Sequence, residues 1–160
     1  DRTRIDVIVV GSTAVNPETG ARVGKGEGFA ELEYGMLRHL GQIDESTPVL
    51  TCVHDSQIVS EMPPAGIDLM KHDVPVDIIV TPTRVIRVDP ARRLPKPNGI
   101  YWDLLSREKL SQVGVLRKLK EKIERETGAE LELAEETEAL PPLAQRAQKP
   151  LPEKRGMSKK

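Results

Sequence analysis

The chain has 160 residues, which is enough for one domain with a hydrophobic core. Its formal net charge of −1 argues against a globally basic nucleic-acid-binding protein, although a local basic patch stays possible. Hydrophobic residues make up 38% and aromatic ones only 2%, so the core must be aliphatic. One cysteine, Cys52, excludes a disulfide within the chain, and no apolar run approaches the ~18 residues of a membrane span. We therefore expect a protein of a reducing, cytoplasmic compartment.

The first predicted element is a strand at Ile5–Val10, where apolar and mostly β-branched residues follow one another. A strand that is apolar on both faces is typical of the centre of a parallel sheet. Such a strand normally has chain before it, so we expect that an N-terminal portion of the domain is missing ahead of Asp1. Asn16–Gly20 then reads as a turn by composition.

A glycine-spaced loop follows, with Gly24, Gly26 and Gly28 just ahead of a predicted helix. Glycine lets the backbone approach a ligand closely, and a helix start offers N–H groups and the positive end of its dipole. Arg22 and Lys25 add positive charge. The segment predicts a phosphate site. A tightly packed loop between strand and helix is the alternative, because the spacing matches neither GxxxxGK[ST] nor GxGxxG.

The rest of the first hundred residues predicts one helix and three strands. The helix carries an apolar stripe at a period of 3.6 and ends near Gly41; its members are Phe29, Leu32, Met36, Leu37 and Leu40. Strands are predicted at Val49–Val53, with Cys52 buried and inert, at Ile78–Thr81 and at Thr83–Val88. This order indicates an α/β fold with an open, mostly parallel, Rossmann-like sheet.

Polar residues after these strands are weaker candidates. His54 and Asp55 follow the second strand, at the edge where open α/β sheets bind ligands, with helix capping as the alternative. Residues 89–99 form a basic loop with Arg92, Arg93 and Lys96, for which a solvated linker is favoured over phosphate contact. The three histidines, His39, His54 and His72, are too scattered to indicate a zinc site.

The C-terminal part predicts helices and then a tail. Asp103–Leu110 and a stripe of Val115, Leu116, Leu119 and Ile123 read as helical, with Gly128 at the end. We therefore place one domain at residues 1–127. Residues 128–160 combine an acidic run, prolines and terminal basic residues, which is the composition of a disordered tail.

Three ordered blocks resemble the 5-formyltetrahydrofolate cyclo-ligases, also called methenyltetrahydrofolate synthetases. The first joins Asp6–Val10 to Arg22–Phe29, the second is His54–Val59 with its glutamine, and the third is Met70–Thr81. The resemblance implies the cyclo-ligase fold, of the NagB/RpiA/CoA-transferase type. The chain is most similar to the methenyltetrahydrofolate synthetase domain-containing branch, through these segments: Gly24–Gly28, Ala30, Leu32–Tyr34, Thr81–Ile86, Pro95–Pro97, Gly99, Ile100 and Trp102. Animal members of that branch carry a C-terminal RNA-recognition motif, which this sequence does not show. An RNA-associated role is a further expectation that rests only on the branch resemblance and on the basic stretch at Arg92–Lys96.

The resemblance also implies a reaction and a set of site residues. ATP phosphorylates the formyl oxygen of 5-formyltetrahydrofolate, the neighbouring folate nitrogen attacks, and phosphate leaves to give 5,10-methenyltetrahydrofolate, with Mg²⁺ accompanying ATP. Arg22 would hold phosphate charge, and the glycine backbone would cradle the phosphates, with Lys25 beside them. Phe29 would line the folate side, and Glu31 would serve catalysis and bind Mg²⁺.

The sequence departs from the family pattern in ways that bear on activity. The family follows its glycines with Tyr-Tyr-Asp-Arg, whereas this chain has Phe29, Ala30, Glu31 and Leu32, and Pro82 stands where the family has Glu. The N-terminal half that supplies ligand contacts in the family is absent from this sequence. A non-catalytic module that binds nucleotide or phosphate on the same fold is therefore the alternative to an active ligase.

Overall fold

The structure is a computed structural model that describes residues 3–62 and 69–134. The chain divides into two compact units, the first ending at Tyr101 and the second beginning at Trp102. The single domain expected over residues 1–127 stays a prediction. The predicted disordered tail lies, from residue 135 onward, outside the described residues.

A four-stranded sheet forms the centre of the first unit. The strands in chain order are β1 (Ile8–Val10), β2 (Ala14–Val15), β3 (Arg22–Val23), β4 (Val49–Cys52), β5 (Ile78–Val80) and β6 (Val85–Arg87). The sheet runs β1-β4-β5-β6, in which β1, β4 and β5 are parallel and β6 pairs antiparallel with β5. Strands β2 and β3 form a separate antiparallel pair. The open, mostly parallel α/β sheet predicted from the sequence is confirmed.

Helix α1 (Phe29–His39) packs on one face of this sheet. The buried Tyr34 of α1 contacts a core built from sheet residues that include Val10, Val49 and Ile79. Gly41 at φ +67° follows the helix end, as the sequence predicts. Burial of this aliphatic core is the main stabilising term of the first unit.

The opposite face of the sheet is only partly covered by the described residues. Along it, the register places Val9 beside Leu50, and Cys52 beside Val80. Val9 is 64% exposed, Val85 is 61% exposed, and Cys52 is exposed as well. The prediction of a strand buried on both faces at residues 5–10 is therefore wrong, because β1 is a three-residue edge strand with one covered face. The prediction that Cys52 is buried is wrong for the same reason.

The hairpin of β2 and β3 depends on a turn that needs glycine. Asn16 Oδ1 accepts hydrogen bonds from the backbone N–H groups of Glu18 and Thr19, which closes the predicted turn. Gly20 follows at φ +70°, and a Cβ there would lie 2.3 Å from the carbonyl oxygen of Val76. Only glycine fits both the backbone conformation and this close approach.

The basic segment at residues 89–99 is anchored to the first unit by buried ion pairs. Lys96 Nζ lies 2.7 Å from Asp77 Oδ2 and donates to the carbonyl oxygens of Thr47 and Glu45. Arg93 Nε lies 3.1 Å from Asp77 Oδ1. The prediction of a solvated linker is therefore wrong for these two cations.

The described part of the second unit contains a 3₁₀ turn (Trp102–Leu104) and two α-helices, α2 (Arg107–Gln112) and α3 (Gly114–Thr127). The helix predicted at 103–110 is interrupted, because Ser106 caps α2 by accepting a hydrogen bond from the Lys109 N–H. Helix α3 buries Leu116 and Leu119 and ends at Gly128, as predicted, while Val115 is 68% exposed. Within the described residues, each helix is too short or too polar to cross a lipid bilayer.

Candidate functional site

A pocket of about 640 Å³ lies around the glycine-spaced loop of the first unit. Residues from three segments line it: residues 11–13 after β1, residues 22–31 and 33 from β3 through the first turns of α1, and residues 69, 70, 72 and 73. This volume is in the range of sites that hold a small organic ligand. We call it the glycine-loop pocket.

The glycines shape one wall of this pocket. Gly26 has φ +76° and Gly28, the residue that caps α1, has φ +68°. A Cβ at either position would meet no atom within 4 Å, so the space beside both residues is open. Gly24 differs, because a Cβ there would lie 3.2 Å from Arg22 Nη1. The loop therefore combines an open backbone surface with a buried guanidinium directly behind it.

Arg22 connects its own lining segment to Gly11 and to Val74, the residue that directly follows the third lining segment. Its side chain is only 3% exposed. Nη1 donates to the carbonyl oxygen of Gly11 at 3.0 Å, Nε donates to that of Val74 at 3.0 Å, and Nη2 forms an ion pair with Glu31. Each nitrogen of the guanidinium thus has a partner within the protein, so the main role of Arg22 in this structure is to hold these segments of the pocket together.

The acidic side chains of the pocket outnumber the basic ones. Among the described residues that line it, four are carboxylates, Glu27, Glu31, Glu33 and Asp73, and two are cations, Arg22 and Lys25. Glu31 gives one oxygen, Oε1, to Arg22. Among residues 3–62 and 69–134, no three His, Cys, Asp or Glu side chains converge on a common point that could hold a metal. These side chains therefore fit a Mg²⁺ ion only if a bound phosphate shares in its coordination, with Glu31 supplying one oxygen and the phosphate supplying others.

All residues that the family resemblance indicated as site residues line this one pocket. They are Arg22, Gly24, Lys25, Gly26, Gly28, Phe29 and Glu31. Lys25 is exposed and Phe29 is half-buried. The structure thus brings the candidates together, while their roles in binding and catalysis stay predictions.

Two other parts of the pocket lining were not among the predicted site residues. Ser12 and Thr13 line the pocket, and so do His72 and Asp73. Asp73 Oδ2 accepts from the Met70 N–H at 2.7 Å, which closes the turn that carries His72. His72 Nδ1 is buried without a hydrogen-bond partner among the described residues. For these residues, the sequence signal was the His72-Asp73 pair of the third family-like block.

His54 and Asp55 do not line the pocket. His54 caps the 3₁₀ turn Asp55–Gln57, with Nδ1 accepting from the Ser56 N–H at 3.2 Å. The hydroxyls of Thr83 and Thr81 donate to Asp55 Oδ1 and lower the pKa of that carboxyl below its usual range. The capping interpretation of these two residues is thus the one that the geometry supports.

Comparison with known proteins gives the chain a family. The profile of the 5-formyltetrahydrofolate cyclo-ligase family matches residues 1–82, which include β1, the glycine loop, α1, β4 and β5. Methenyltetrahydrofolate synthase domain-containing protein of Mus musculus is 48% identical over 132 residues, covering 82% of this chain and 34% of that protein. The Homo sapiens protein of the same name is 44% identical over 140 residues, covering 88% and 35%. The chain thus spans about a third of the length of these curated relatives. The chain belongs to the 5-formyltetrahydrofolate cyclo-ligase family.

Proposed function

We propose that this chain serves 5-formyltetrahydrofolate cyclo-ligase chemistry, in which ATP and Mg²⁺ drive the conversion of 5-formyltetrahydrofolate to 5,10-methenyltetrahydrofolate. The formyl oxygen takes the γ-phosphoryl group of ATP and ADP leaves. A neighbouring folate nitrogen then attacks the formyl carbon, and phosphate leaves as the ring closes. The substrates would be ATP and a reduced folate. The cytoplasmic location expected from composition stays a prediction within this proposal.

One observation carries the proposal: the open glycine backbone, the start of α1 and the Arg22–Glu31 pair meet in a single pocket of ligand size. Gly26 and Gly28 leave room for a ligand to approach the backbone. First-turn N–H groups and the helix dipole favour an anion at the start of α1. A phosphate chain bound there would place its charge between the glycine loop and Lys25.

The charge of the pocket supports a need for a divalent cation. The described residues of its lining include two more carboxylates than basic groups, so a bare triphosphate would meet repulsion. A Mg²⁺ ion shared between phosphate oxygens and Glu31 would offset that repulsion. Arg22 would act by orienting the Glu31 carboxylate and by holding the glycine loop, and Phe29 would offer an apolar surface to the folate ring.

A non-catalytic nucleotide- or phosphate-binding module is the second candidate. Ala30 and Leu32 stand where the cyclo-ligase pattern has an aromatic residue and an arginine, and Pro82 replaces an acid. These substitutions remove reactive and charged groups but leave the glycine loop and Arg22 in place. Neither the family description nor the names of the relatives refers to nucleic acid, and we propose no such role.

Calorimetric titration of the full chain with Mg-ATP tests the proposal, with Gly26→Ala and Gly128→Ala as a matched pair. Both glycines lie near φ +70°, and a Cβ at either meets no atom within 4 Å. The two substitutions therefore carry a similar backbone penalty. Only Gly26 lines the glycine-loop pocket, so we expect binding to weaken in Gly26→Ala and to be unchanged in Gly128→Ala.

Adding 5-formyltetrahydrofolate separates the two candidate functions. Formation of methenyl product that requires both ATP and Mg²⁺ supports the ligase. Mg-ATP binding without product supports the non-catalytic module. A folded chain that releases no heat with Mg-ATP, or a pair of variants that weaken binding equally, contradicts nucleotide binding at this loop.

A further inference from the structure

The loop of residues 11–13 forms one wall of the glycine-loop pocket, and side chains occupy all three of its carbonyl oxygens. Arg22 Nη1 donates to that of Gly11 at 3.0 Å. Gln57 Nε2 donates to Ser12 O at 3.0 Å and to Thr13 O at 3.1 Å. Gln57 itself is not among the described residues that line the pocket, so it acts on this wall from behind.

The carboxamide of Gln57 can take only one orientation. Its Oε1 accepts a hydrogen bond from the His54 N–H at 2.7 Å, and that backbone group can only donate. The carbonyl oxygens of Ser12 and Thr13 can only accept, so Nε2 must face them. Gln57 belongs to the 3₁₀ turn that directly follows β4. The end of β4 is thereby tied to the loop after β1.

The tie continues from this loop to the glycines. Thr13 N–H donates to Val23 O at 2.7 Å, and the Thr13 hydroxyl donates to Gly24 O at 3.2 Å. On the other side, the Ser12 hydroxyl lies 2.8 Å from that of Thr51 in β4. A continuous chain of hydrogen bonds therefore runs from Gln57 through Thr13 to the first glycine of the loop.

We propose that Gln57 is a positioning residue for the ligand in this pocket. It fixes the 11–13 loop, and through Thr13 it fixes the start of the glycine loop. It also engages two carbonyl oxygens whose negative ends would repel a phosphate if they turned into the pocket. This role rests on the proposed function as far as the ligand is concerned, whereas the hold on the loop does not.

Three variants of the full chain test this role. Gln57→Glu keeps the shape and the acceptor for His54 but sets a carboxylate oxygen against two carbonyls. Gln57→Met removes the hydrogen bonds at similar length. Gln112→Glu is the control, because it makes the same amide-to-carboxylate change at an exposed residue at the end of α2. Hydrogen exchange at the Thr13 amide reports on the loop without any ligand, and calorimetry with Mg-ATP reports on the site.

In Gln57→Glu, the Thr13 amide hydrogen should exchange faster than in wild type. At pH 7.5 this variant should bind Mg-ATP at least tenfold more weakly, which is about the effect of losing two hydrogen bonds of ordinary strength. Acidification that protonates the new carboxyl restores a donor, so both properties should recover in this variant alone. Gln57→Met should show the same losses without recovery. At each pH, exchange and binding are compared with wild type and with Gln112→Glu, so that a general effect of acidification is subtracted.

Two results would overturn the role. If Gln57→Glu is folded and its Thr13 amide exchanges as in wild type, Gln57 does not hold the loop. If exchange accelerates while Mg-ATP affinity is unchanged, the loop does not shape the ligand site. A wild-type chain that binds no Mg-ATP refutes the proposed function and with it the ligand part of this proposal, while the exchange data still decide the structural part.

Discussion

Replacing Arg22 by methionine should destabilise the first unit more than any surface change. The side chain is 3% exposed, and its partner Glu31 is 17% exposed. Removing the guanidinium leaves the carboxylate of Glu31 without its cation and leaves the carbonyl oxygens of Gly11 and Val74 without their side-chain donor. Breaking a buried pair by removing one partner costs about 3–5 kcal/mol. Because Glu31 retains some contact with water, we expect about 3 kcal/mol.

Urea unfolding followed by circular dichroism measures this cost, and a double-mutant cycle identifies its source. Adding Glu31→Leu to Arg22→Met removes the uncompensated charge, so the double variant should be more stable than Arg22→Met alone. Arg22→Lys should recover only part of the loss, because an ammonium group cannot span the three acceptors of the guanidinium. A cost for Arg22→Met below about 1 kcal/mol, or a double variant less stable than the single one, would refute the reasoning.

Three further changes have definite expected outcomes. Gly20→Ala should lower the free energy of unfolding by more than about 2 kcal/mol in urea titration, since its Cβ would lie 2.3 Å from a carbonyl oxygen at φ +70°. Tyr34→Phe should be nearly neutral at pH 7, because the buried Tyr34 Oη has no hydrogen-bond partner among the described residues. Burial raises the pKa of Tyr34 from 10.0 to about 12, so the folded state holds the proton more tightly. Wild type should therefore lose stability as the pH rises from 10 to 12, a loss that denaturation at alkaline pH should find absent in Tyr34→Phe. Lys96→Met should cost about 2–4 kcal/mol by the same urea assay, while Arg92→Ala, in an exposed ion pair, should cost at most about 1 kcal/mol; equal costs for the two would contradict the burial argument.

The parts of the fold that follow local patterns were predictable from the sequence. The 3.6 period and Gly41 located α1, and the short aliphatic runs located β4 and β5 to within a residue or two at each end. The glycine spacing located the loop that lines the pocket, and the ordered family-like blocks indicated the fold. The periodicity, the aliphatic runs and the glycine spacing each lie within one short segment, and the blocks are recognised by their order along the chain, so no long-range contact is needed to detect these signals.

The remainder depends on contacts between distant residues. The sequence around Lys96 and Arg93 is typical of a solvated basic loop. Their ion pairs with Asp77 form only in the folded chain, and no spacing rule predicts them. The second family-like block includes Gln57, but its contact with Thr13 spans 44 positions of the chain, so local spacing does not show what this side chain holds. The apolar run at residues 5–10 indicated burial on both faces, but an apolar pattern does not say which neighbours are present to cover it.

The partly exposed face of the sheet carries the single cysteine of the chain, so the reactivity of this thiol reports how far water reaches that face. Cys52 is exposed on the same face as Val9 and Val85, which are themselves largely exposed. Since the chain has no other thiol, the rate of alkylation by a small reagent measures the state of that face with one number. Labelling as fast as in the unfolded chain would mean that the face meets water in solution. Slow labelling that becomes fast on dilution would mean that molecules associate through it.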